Sequence, residues 1–117
     1  MRDYKVSIVI PTYNKFDLVQ GLLEGLEHES ENIDEVLIVD DCSDSIPKVK
    51  SDLDFYLRLE KNSGFTIASN AGLRKVSENR LAEKRIVFLI SNDVRFTGKF
   101  IEQTAEILFG AKRALVG

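Results

Sequence analysis

Three acidic residues follow apolar stretches of strand length, and their chemistry suggests ligand binding. Asp40 and Asp41 come directly after Val36–Val39, and Asp93 comes shortly after Arg85–Ile90. A carboxylate at such a place can accept a hydrogen bond from a ring N–H, a ribose hydroxyl or a metal-bound water. In the plainer interpretation of Asp40 and Asp41, one of them caps the following turn. We expect both roles, with one aspartate structural and the other facing a ligand.

Asp93 is the candidate metal ligand. It follows the most apolar run of the chain, and a hard oxygen ligand at that place suits Mg²⁺ or Mn²⁺ bridging phosphates. The alternative role is an N-terminal cap for the next helix, but Thr97 lies nearer to the predicted start of that helix. We therefore favour the metal role.

The remaining reactive side chains indicate no second chemistry. His28 is the only histidine and falls on the surface of a predicted helix, which fits a Ser/His/Asp or Cys/His nucleophilic site poorly. The single Cys42 excludes an internal disulfide, and no Cys/His cluster indicates zinc. Tyr13 could stack on a base, although an aromatic residue at the edge of the core is the plainer interpretation.

Apolar patterning predicts the elements that must position these residues. Short β-branched runs predict strands, and apolar residues at helical spacing predict helices between them. The residues expected on the inner face of the last helix are Phe100, Ile101, Ala105 and Leu108. The predicted strands are Lys5–Ile10, which stops at Pro11, Val36–Val39, Phe55–Leu59, Arg85–Ile90 and an incomplete fifth strand at Ala114–Gly117; the predicted helices cover about Lys15–Glu29, Ile46–Leu53, Phe65–Val76 and Lys99–Phe109.

Strands that alternate with helices predict an α/β fold, a Rossmann-like and mostly parallel sheet with helices on both faces. Sheets of this kind bind ligands beyond the carboxyl ends of their strands. A polar ligand site is therefore expected at that edge of the sheet. The polar segments at the strand ends are Pro11-Thr12-Tyr13-Asn14, Asp40-Asp41, Lys61-Asn62-Ser63-Gly64 and Ser91-Asn92-Asp93.

Composition excludes several functional classes. The 117 residues allow one small domain with a real core, and this length suggests part of a larger architecture. The net charge is −3, with 16 basic and 19 acidic residues interspersed, which disfavours nucleic-acid binding. Neither the Rossmann nor the Walker glycine-rich loop occurs. No apolar run suits a signal peptide or a membrane span, so a cytoplasmic protein is expected, with peripheral association at the inner membrane face left open.

Four segments, in order, resemble motifs of the family-two glycosyltransferases, nucleotide-sugar enzymes of the GT-A fold. Each motif alone is weak to moderate, but the four together cover essentially the whole chain. The last two have the form that is typical of the rhamnosyltransferase-like branch. The segments are Val6–Asn14, which resembles the first strand and loop; Ile38–Asp44, which resembles VDDGS-x-D; Asn62–Phe65 with Ala68–Leu73, which resemble N-x-G-F…N-N-x-G; and Leu89–Val94, which resembles L-L-N-x-D.

The resemblance implies a site for a uridine or thymidine diphosphate sugar and a divalent cation. Pro11 and Tyr13 would border the base, and Asp41 would accept from its N3–H. Asp93 would coordinate the Mg²⁺ or Mn²⁺ that neutralises the diphosphate leaving group. The full set of residues implied to bind the nucleotide sugar is Pro11, Thr12, Tyr13, Asn14, Asp41, Asn62, Gly64, Asn70 and Asn92.

The resemblance also implies an inverting mechanism, in which a carboxylate base deprotonates an acceptor hydroxyl that attacks the anomeric carbon in line. That base is expected beyond Gly117, so residues 1–117 are interpreted as the donor-binding half of a truncated transferase domain, inactive alone. The implied acceptor is a glycan or a lipid-linked molecule in cell-surface polysaccharide or glycan synthesis. Three residues depart from the motifs: Cys42 replaces glycine, Ser69 replaces arginine, and Ser91 replaces the first aspartate of Asp-x-Asp.

Two other classes remain as alternatives. The first is a non-catalytic nucleotide-sugar-binding module, which the downstream sequence would distinguish by the absence of an acidic residue beside an acceptor-binding segment. The second is a response-regulator receiver, with Asp93 as the phosphoacceptor. The receiver fits less well, because a complete strand and helix precede the acidic strand that would begin such a domain.

Overall fold

The computed structural model describes residues 4–45, 54–78, 84–96 and 98–116. Four predicted strands and three predicted helices are present in it. The short helix predicted at 46–53 lies outside the described residues. In chain order the elements are β1 (Lys5–Thr12), α1 (Phe16–Glu27), a 3-10 turn (Ser30–Asn32), β2 (Glu35–Asp40), β3 (Asp54–Arg58), α2 (Phe65–Ser77), β4 (Arg85–Leu89) and α3 (Phe100–Val116).

The strands form one parallel sheet in the order β3-β2-β1-β4, which confirms the predicted fold class. β1 and β2 are mostly apolar, central and buried, as expected for a parallel sheet that is covered on both faces. The chain proceeds outward from β1 to β3 and then returns across β1 to β4. The carboxyl ends of β1 and β4 therefore flank the point where the strand order reverses, which is where open α/β sheets bind ligands.

Helices cover both faces of the sheet, as predicted. α1 and α3 pack on the face that carries Ile8, and α2 packs on the face that carries Val9 and Val39. α2 approaches the sheet closely at Gly72, where an added Cβ would lie 2.5 Å from Val9 Cγ1 and 2.7 Å from Val39 Cγ2. Glycine at this position therefore sets the distance between α2 and the two central strands.

β1 continues past its predicted end, through Pro11 to Thr12. The carbonyls of Val6 and Thr12 accept hydrogen bonds from the β2 side, and that of Val9 accepts from Ile90, which follows β4. The backbone N–H and C=O groups of the odd-numbered β1 residues therefore point toward β4. Pro11 faces that side beyond the last β1–β4 pair, so its missing N–H removes no hydrogen bond from the ladder.

The predicted fifth strand at Ala114–Gly117 is wrong, because α3 continues as a helix to Val116. A short apolar run does not distinguish a strand from the end of a helix. The alanine, lysine, arginine and leucine residues that precede Val116 are strong helix formers, and they favour continuation of α3. Within the described residues the sheet has four strands.

The inner face of α3 also differs from the prediction. Ile101 and Ala105 are buried as expected, but Phe100 and Leu108, also expected inside, are 41% and 50% exposed. Phe109 packs inward instead, and its ring centroid lies 4.8 Å from that of Tyr4. The expected inner face is therefore only partly correct.

Candidate functional site

The polar segments that follow the strands come together at the carboxyl edge of the sheet, as predicted. Asn92 Nδ2 donates to Thr12 Oγ1 at 2.9 Å, which joins the turn after β4 to the end of β1. Asn14 Nδ2 donates to the Asp44 carboxylate and the Asp44 backbone N–H donates to Asn14 Oδ1, which joins the segments after β1 and β2. We call this hydrogen-bonded set of segments, residues 12–15, 40–45, 60–64 and 91–95, the carboxyl-end rim.

Asp41 holds the segment that begins α2. Its carboxylate accepts the backbone N–H groups of Ser63 and Gly64, both at 2.8 Å, and Asn62 Nδ2 donates to the Asp41 carbonyl at 3.2 Å. Gly64 has φ +91°, which glycine adopts without strain. The negative charge lies beside the N-terminus of α2, where the helix dipole favours it. Each carboxylate oxygen retains a second lone pair, so Asp41 is chemically able to accept from a ligand.

Asp40 is the structural member of the aspartate pair, and it is fully buried. One carboxylate oxygen accepts the Ser43 N–H at 2.9 Å together with the Ser43 hydroxyl; the other accepts the Tyr56 hydroxyl and Arg58 Nη1, the latter at 2.7 Å. Burial alone would raise the pKa of Asp40, but these hydrogen bonds and the Arg58 charge outweigh it and lower the pKa below its usual value. The bond from the Ser43 N–H caps the turn, as the plainer interpretation of the aspartate pair predicted.

The segment after β1 contains two consecutive left-handed residues, Asn14 at φ 54° and Lys15 at φ 56°. The Asn14 N–H donates to Ser43 Oγ at 2.6 Å, which ties this conformation to the turn after β2. Tyr13 is 45% exposed, so its ring stands at the surface of the rim. A ring in this position is able to stack on a planar ligand.

The turn after β4 carries Asp93, which is exposed and accepts the Ser91 hydroxyl on Oδ1 at 2.9 Å. Arg95 fixes the turn against α1 by donating to the carbonyls of Asn92 and Leu18, each at 2.9 Å. In the part of the chain that the structure describes, no three histidine, cysteine or acidic side chains group to hold a metal. One carboxylate nevertheless suits Mg²⁺ when phosphate oxygens complete its ligands.

The other predicted residues have plain placements. Pro11 is buried in β1, and Asn70 is exposed on α2. Ser69, where the family motif has arginine, is buried, and its hydroxyl has no hydrogen-bond partner among the described residues. Cys42 has φ 61°, a conformation that glycine adopts freely, which explains why glycine is usual at this motif position.

The sequence reasoning missed Tyr56, Arg58 and Arg95. Tyr56 and Arg58 lie two residues apart on β3, so the strand period places them on one face, and the register sets Arg58 opposite Asp40. That period was the available signal, although the register itself could not be read from the sequence. The described partners of Arg95 are backbone carbonyls, one of which belongs to Leu18, far away in the sequence. No residue pattern predicts such contacts.

Known proteins resemble this chain along most of its length. The family described as Glycosyl transferase family 2 matches residues 7–116. The uncharacterized glycosyltransferase YwdF of Bacillus subtilis is 35% identical over 106 residues, which cover 87% of this chain and 37% of that protein. An uncharacterized glycosyltransferase of Haemophilus influenzae is 38% identical over 72 residues, which cover 59% of this chain and 24% of that protein.

The crystal structure of S. aureus TarS 1–349 superimposes with a TM-score of 0.67 at 25% identity, covering 91% of this chain and 32% of that one. The fold is thus of the GT-A type, as the motifs predicted. The chain belongs to glycosyl transferase family 2. It spans little more than a third of the Bacillus subtilis relative, at 37% of its length. Among the described helices, none combines the length and apolar character needed to cross a bilayer.

Proposed function

We propose that this chain is the donor-binding half of an inverting glycosyltransferase, and that the carboxyl-end rim binds a uridine or thymidine diphosphate sugar. The observation that carries the proposal is the rim itself, in which a hydrogen bond from Asn92 to Thr12 joins the strand ends on either side of the topological switch point. Membership of glycosyl transferase family 2 supports it.

The nucleoside would lie across the segments after β1 and β2. The exposed Tyr13 ring offers a stacking surface for the base, and the Asp41 carboxylate offers an acceptor for its N3–H. The proposed donor-binding residues are Pro11, Thr12, Tyr13, Asn14, Asp41, Asn62, Gly64, Asn70 and Asn92.

Asp93 would hold Mg²⁺ or Mn²⁺ together with the diphosphate oxygens. A cation so held neutralises charge on the diphosphate leaving group. The chain's own contribution is to orient Asp93. The Ser91 hydroxyl donates to Asp93 Oδ1, which fixes the carboxylate and keeps Oδ2 for the cation. Arg95 anchors the turn to α1. The described residues therefore fit a cation shared with substrate phosphates better than one held by protein alone.

The acceptor and the general base belong, in this proposal, to segments outside residues 1–117. Support comes from the Bacillus subtilis relative, of which this chain covers 37%. The acceptor would be a glycan or a lipid-linked molecule, and the reaction would serve cell-surface polysaccharide or glycan synthesis in the cytoplasm, with peripheral association at the inner membrane face. Residues 1–117 alone are expected to bind the donor nucleotide without transferring sugar.

Calorimetric titration of the intact protein with uridine and thymidine diphosphate, with Mn²⁺ and with EDTA, tests the proposal. We expect binding that is tighter with Mn²⁺, and Asp93→Ala should abolish this metal dependence. Asp41→Ala should weaken binding about tenfold, the effect of losing one hydrogen bond to a charged group. Asp41→Asn keeps one acceptor oxygen but loses one of the two loop contacts, so it should weaken binding as well. Glu106→Ala, an exposed acidic residue on α3, is the matched control. Absence of metal-dependent binding in the intact protein would overturn the proposal.

A further inference from the structure

A directed chain of hydrogen bonds crosses the rim from β3 to the segment after β1. The Tyr56 hydroxyl and Arg58 Nη1 donate to Asp40, the Ser43 hydroxyl also donates to Asp40, and Ser43 Oγ accepts the Asn14 N–H at 2.6 Å. A carboxylate only accepts and a backbone N–H only donates, so the Ser43 hydroxyl has one usable orientation. The position of Asp40 therefore determines where Asn14 is held.

Arg58 strengthens this series of hydrogen bonds by contacting both Asp40 and Ser43. Nη1 donates to Asp40 at 2.7 Å, and Nη2 donates to the Ser43 carbonyl at 2.7 Å. The planar guanidinium fixes the separation of these two acceptors, which a lysine ammonium cannot do. Asp40 is fully buried, so its charge requires such partners, and the cluster resists rearrangement.

The segment that these hydrogen bonds hold is strained and lies next to a proposed donor contact. Asn14 and Lys15 are consecutive residues in the left-handed region, a conformation that surrounding contacts must maintain. Tyr13, the proposed stacking surface, directly precedes them. Tyr56 itself is 43% exposed, so its ring contributes little to the core and its described hydrogen bond goes to Asp40.

We propose that Tyr56 and Arg58 are positioning residues for the donor site, which hold residues 12–15 in their binding conformation through Asp40 and Ser43. This inference rests on the proposed function, since it concerns the same rim. It assigns to β3 a role in donor affinity, although neither side chain belongs to the proposed donor-binding set.

Amide hydrogen exchange in the nucleotide-free, intact protein tests the positioning step by itself. The Asn14 and Ser43 amides both donate within the cluster, and Ile38 in the centre of β2 serves as the reference amide. Relative to Ile38, we expect exchange at Asn14 and Ser43 to be about tenfold faster in Arg58→Met, and faster by a smaller factor in Tyr56→Phe. Unchanged relative exchange in Arg58→Met would overturn the inference.

Titration with uridine diphosphate and Mn²⁺ tests the consequence for the donor. Arg58→Met should raise Kd about tenfold, and Arg58→Lys should recover only part of this loss, because lysine cannot bridge Asp40 and Ser43. The ratio of Kd with and without Mn²⁺ should stay unchanged, since neither Arg58 variant removes a described hydrogen bond of the Asp93 turn. The control is Arg85→Met, which disrupts a cluster of similar chemistry at the opposite end of the sheet and should leave Kd at the wild-type value.

The two arms separate the two claims. Faster relative exchange without any loss of affinity would show that the cluster holds a segment that the donor does not use, which overturns the inference. A wild-type protein that binds no uridine or thymidine diphosphate would overturn the proposed function, while the exchange arm would still decide whether Tyr56 and Arg58 position residues 12–15. Equal loss of affinity in Arg58→Met and Arg85→Met would reduce the effect to general stability and also overturn the inference.

Discussion

The two ends of the sheet each contain a cluster of one serine, one buried carboxylate and one arginine, but the clusters are connected differently. At the amino ends, Arg85 and Ser7 both donate to Glu35, with Ser7 Oγ at 2.7 Å and Arg85 Nη1 at 3.3 Å. At the carboxyl ends, the corresponding partners surround Asp40. We call Ser7, Glu35 and Arg85 the amino-end cluster, and Asp40, Ser43, Tyr56 and Arg58 the carboxyl-end cluster.

Every member of the amino-end cluster is a strand residue, and Ser7 and Glu35 are register partners of β1 and β2. The described hydrogen bonds of this cluster therefore fix the register of β1, β2 and β4. The carboxyl-end cluster instead extends through Ser43 to the backbone of Asn14, outside the sheet. The side chain of Arg85 is 11% exposed and that of Arg58 is 33% exposed, in keeping with a closed end and an open end. Similar side chains thus serve strand register at one end and loop placement at the other.

The largest loss of stability is expected from Arg85→Met. The substitution removes the described arginine partner of the nearly buried Glu35 carboxylate, and breaking one half of a buried pair typically costs about 3–5 kcal/mol. Urea unfolding monitored by circular dichroism measures the change. Because the described hydrogen-bond partners of Arg85 lie in strands, the loss should come without a change in nucleotide affinity.

A double variant, Arg85→Met with Glu35→Gln, removes the stranded charge and should recover a substantial part of that stability. If the double variant is as unstable as Arg85→Met, packing of the arginine stem rather than charge pairing holds the amino ends, and the comparison of the two clusters as charge networks fails.

A smaller loss, about 1–3 kcal/mol, is expected from Gly72→Ala, because the new Cβ would overlap the side chains of Val9 and Val39. The strain should act on the carboxyl end, since it displaces α2, and Asp41 holds Gly64 directly before that helix. Gly25→Ala is the matched control: Gly25 lies within α1 with open space around it, and alanine there should be neutral or stabilising. Equal losses in both variants would remove the close approach of α2 as the cause.

The sequence predicted the two ends unequally. Continuous apolar runs such as Val36–Val39 identified the central strands, because burial on both faces leaves a strong local pattern. The prediction of a strand at the end of α3 was wrong because Ala114–Gly117 is too short for periodicity to distinguish helix from strand. The carboxyl end was recognisable because Asp41 and Asp93 come shortly after apolar runs, and polar residues at that edge are a property of the fold class.

The partners of those residues were not predictable. Glu29, for example, is a buried glutamate beyond α1 that accepts the backbone N–H groups of Ile101 and Glu102 at 2.9 and 3.0 Å, which caps α3. Arg58 forms its ion pair with its register partner Asp40 on the neighbouring strand. Arg85 on β4 forms its ion pair with Glu35 on β2, two strands away. Register and helix placement depend on packing over the whole sheet, and a single sequence carries no local signal for them.

A still smaller effect is expected at Cys42, which tests backbone strain at the open end. Cys42 has φ 61°, where a side chain costs about 1–2 kcal/mol and glycine costs little. Cys42→Gly should change the free energy of unfolding by less than about 1 kcal/mol, since relief of strain offsets the greater entropy of the unfolded chain. Cys42→Val, with a β-branched side chain at the same φ, should be the less stable of the two by urea unfolding. If valine is tolerated as well as glycine, the turn after β2 is less constrained than the carboxyl-end cluster requires.

The smallest effect concerns acid, and it belongs to the carboxyl-end cluster alone. Hydrogen bonds from Ser43 and Tyr56 and the charge of Arg58 outweigh burial and place the pKa of Asp40 below its ordinary value of 3.8. A carboxyl with a lowered folded-state pKa contributes stability that is fully present above the unfolded-state pKa and is lost as the pH falls through the folded-state pKa. The contribution of Asp40 should therefore be constant above about pH 5 and decline from about pH 4 downward.

Asp40→Asn isolates this contribution, because the variant has no titrating group at that position. The difference in free energy of unfolding between wild type and Asp40→Asn should be largest above pH 5 and should shrink as the pH falls below 4, measured by urea unfolding at each pH. A difference that stays constant with pH would mean that Asp40 titrates alike in the folded and unfolded chain. The hydrogen bonds of the carboxyl-end cluster would then stabilise the charged form no better than water does, and the cluster would have no advantage in holding Asn14.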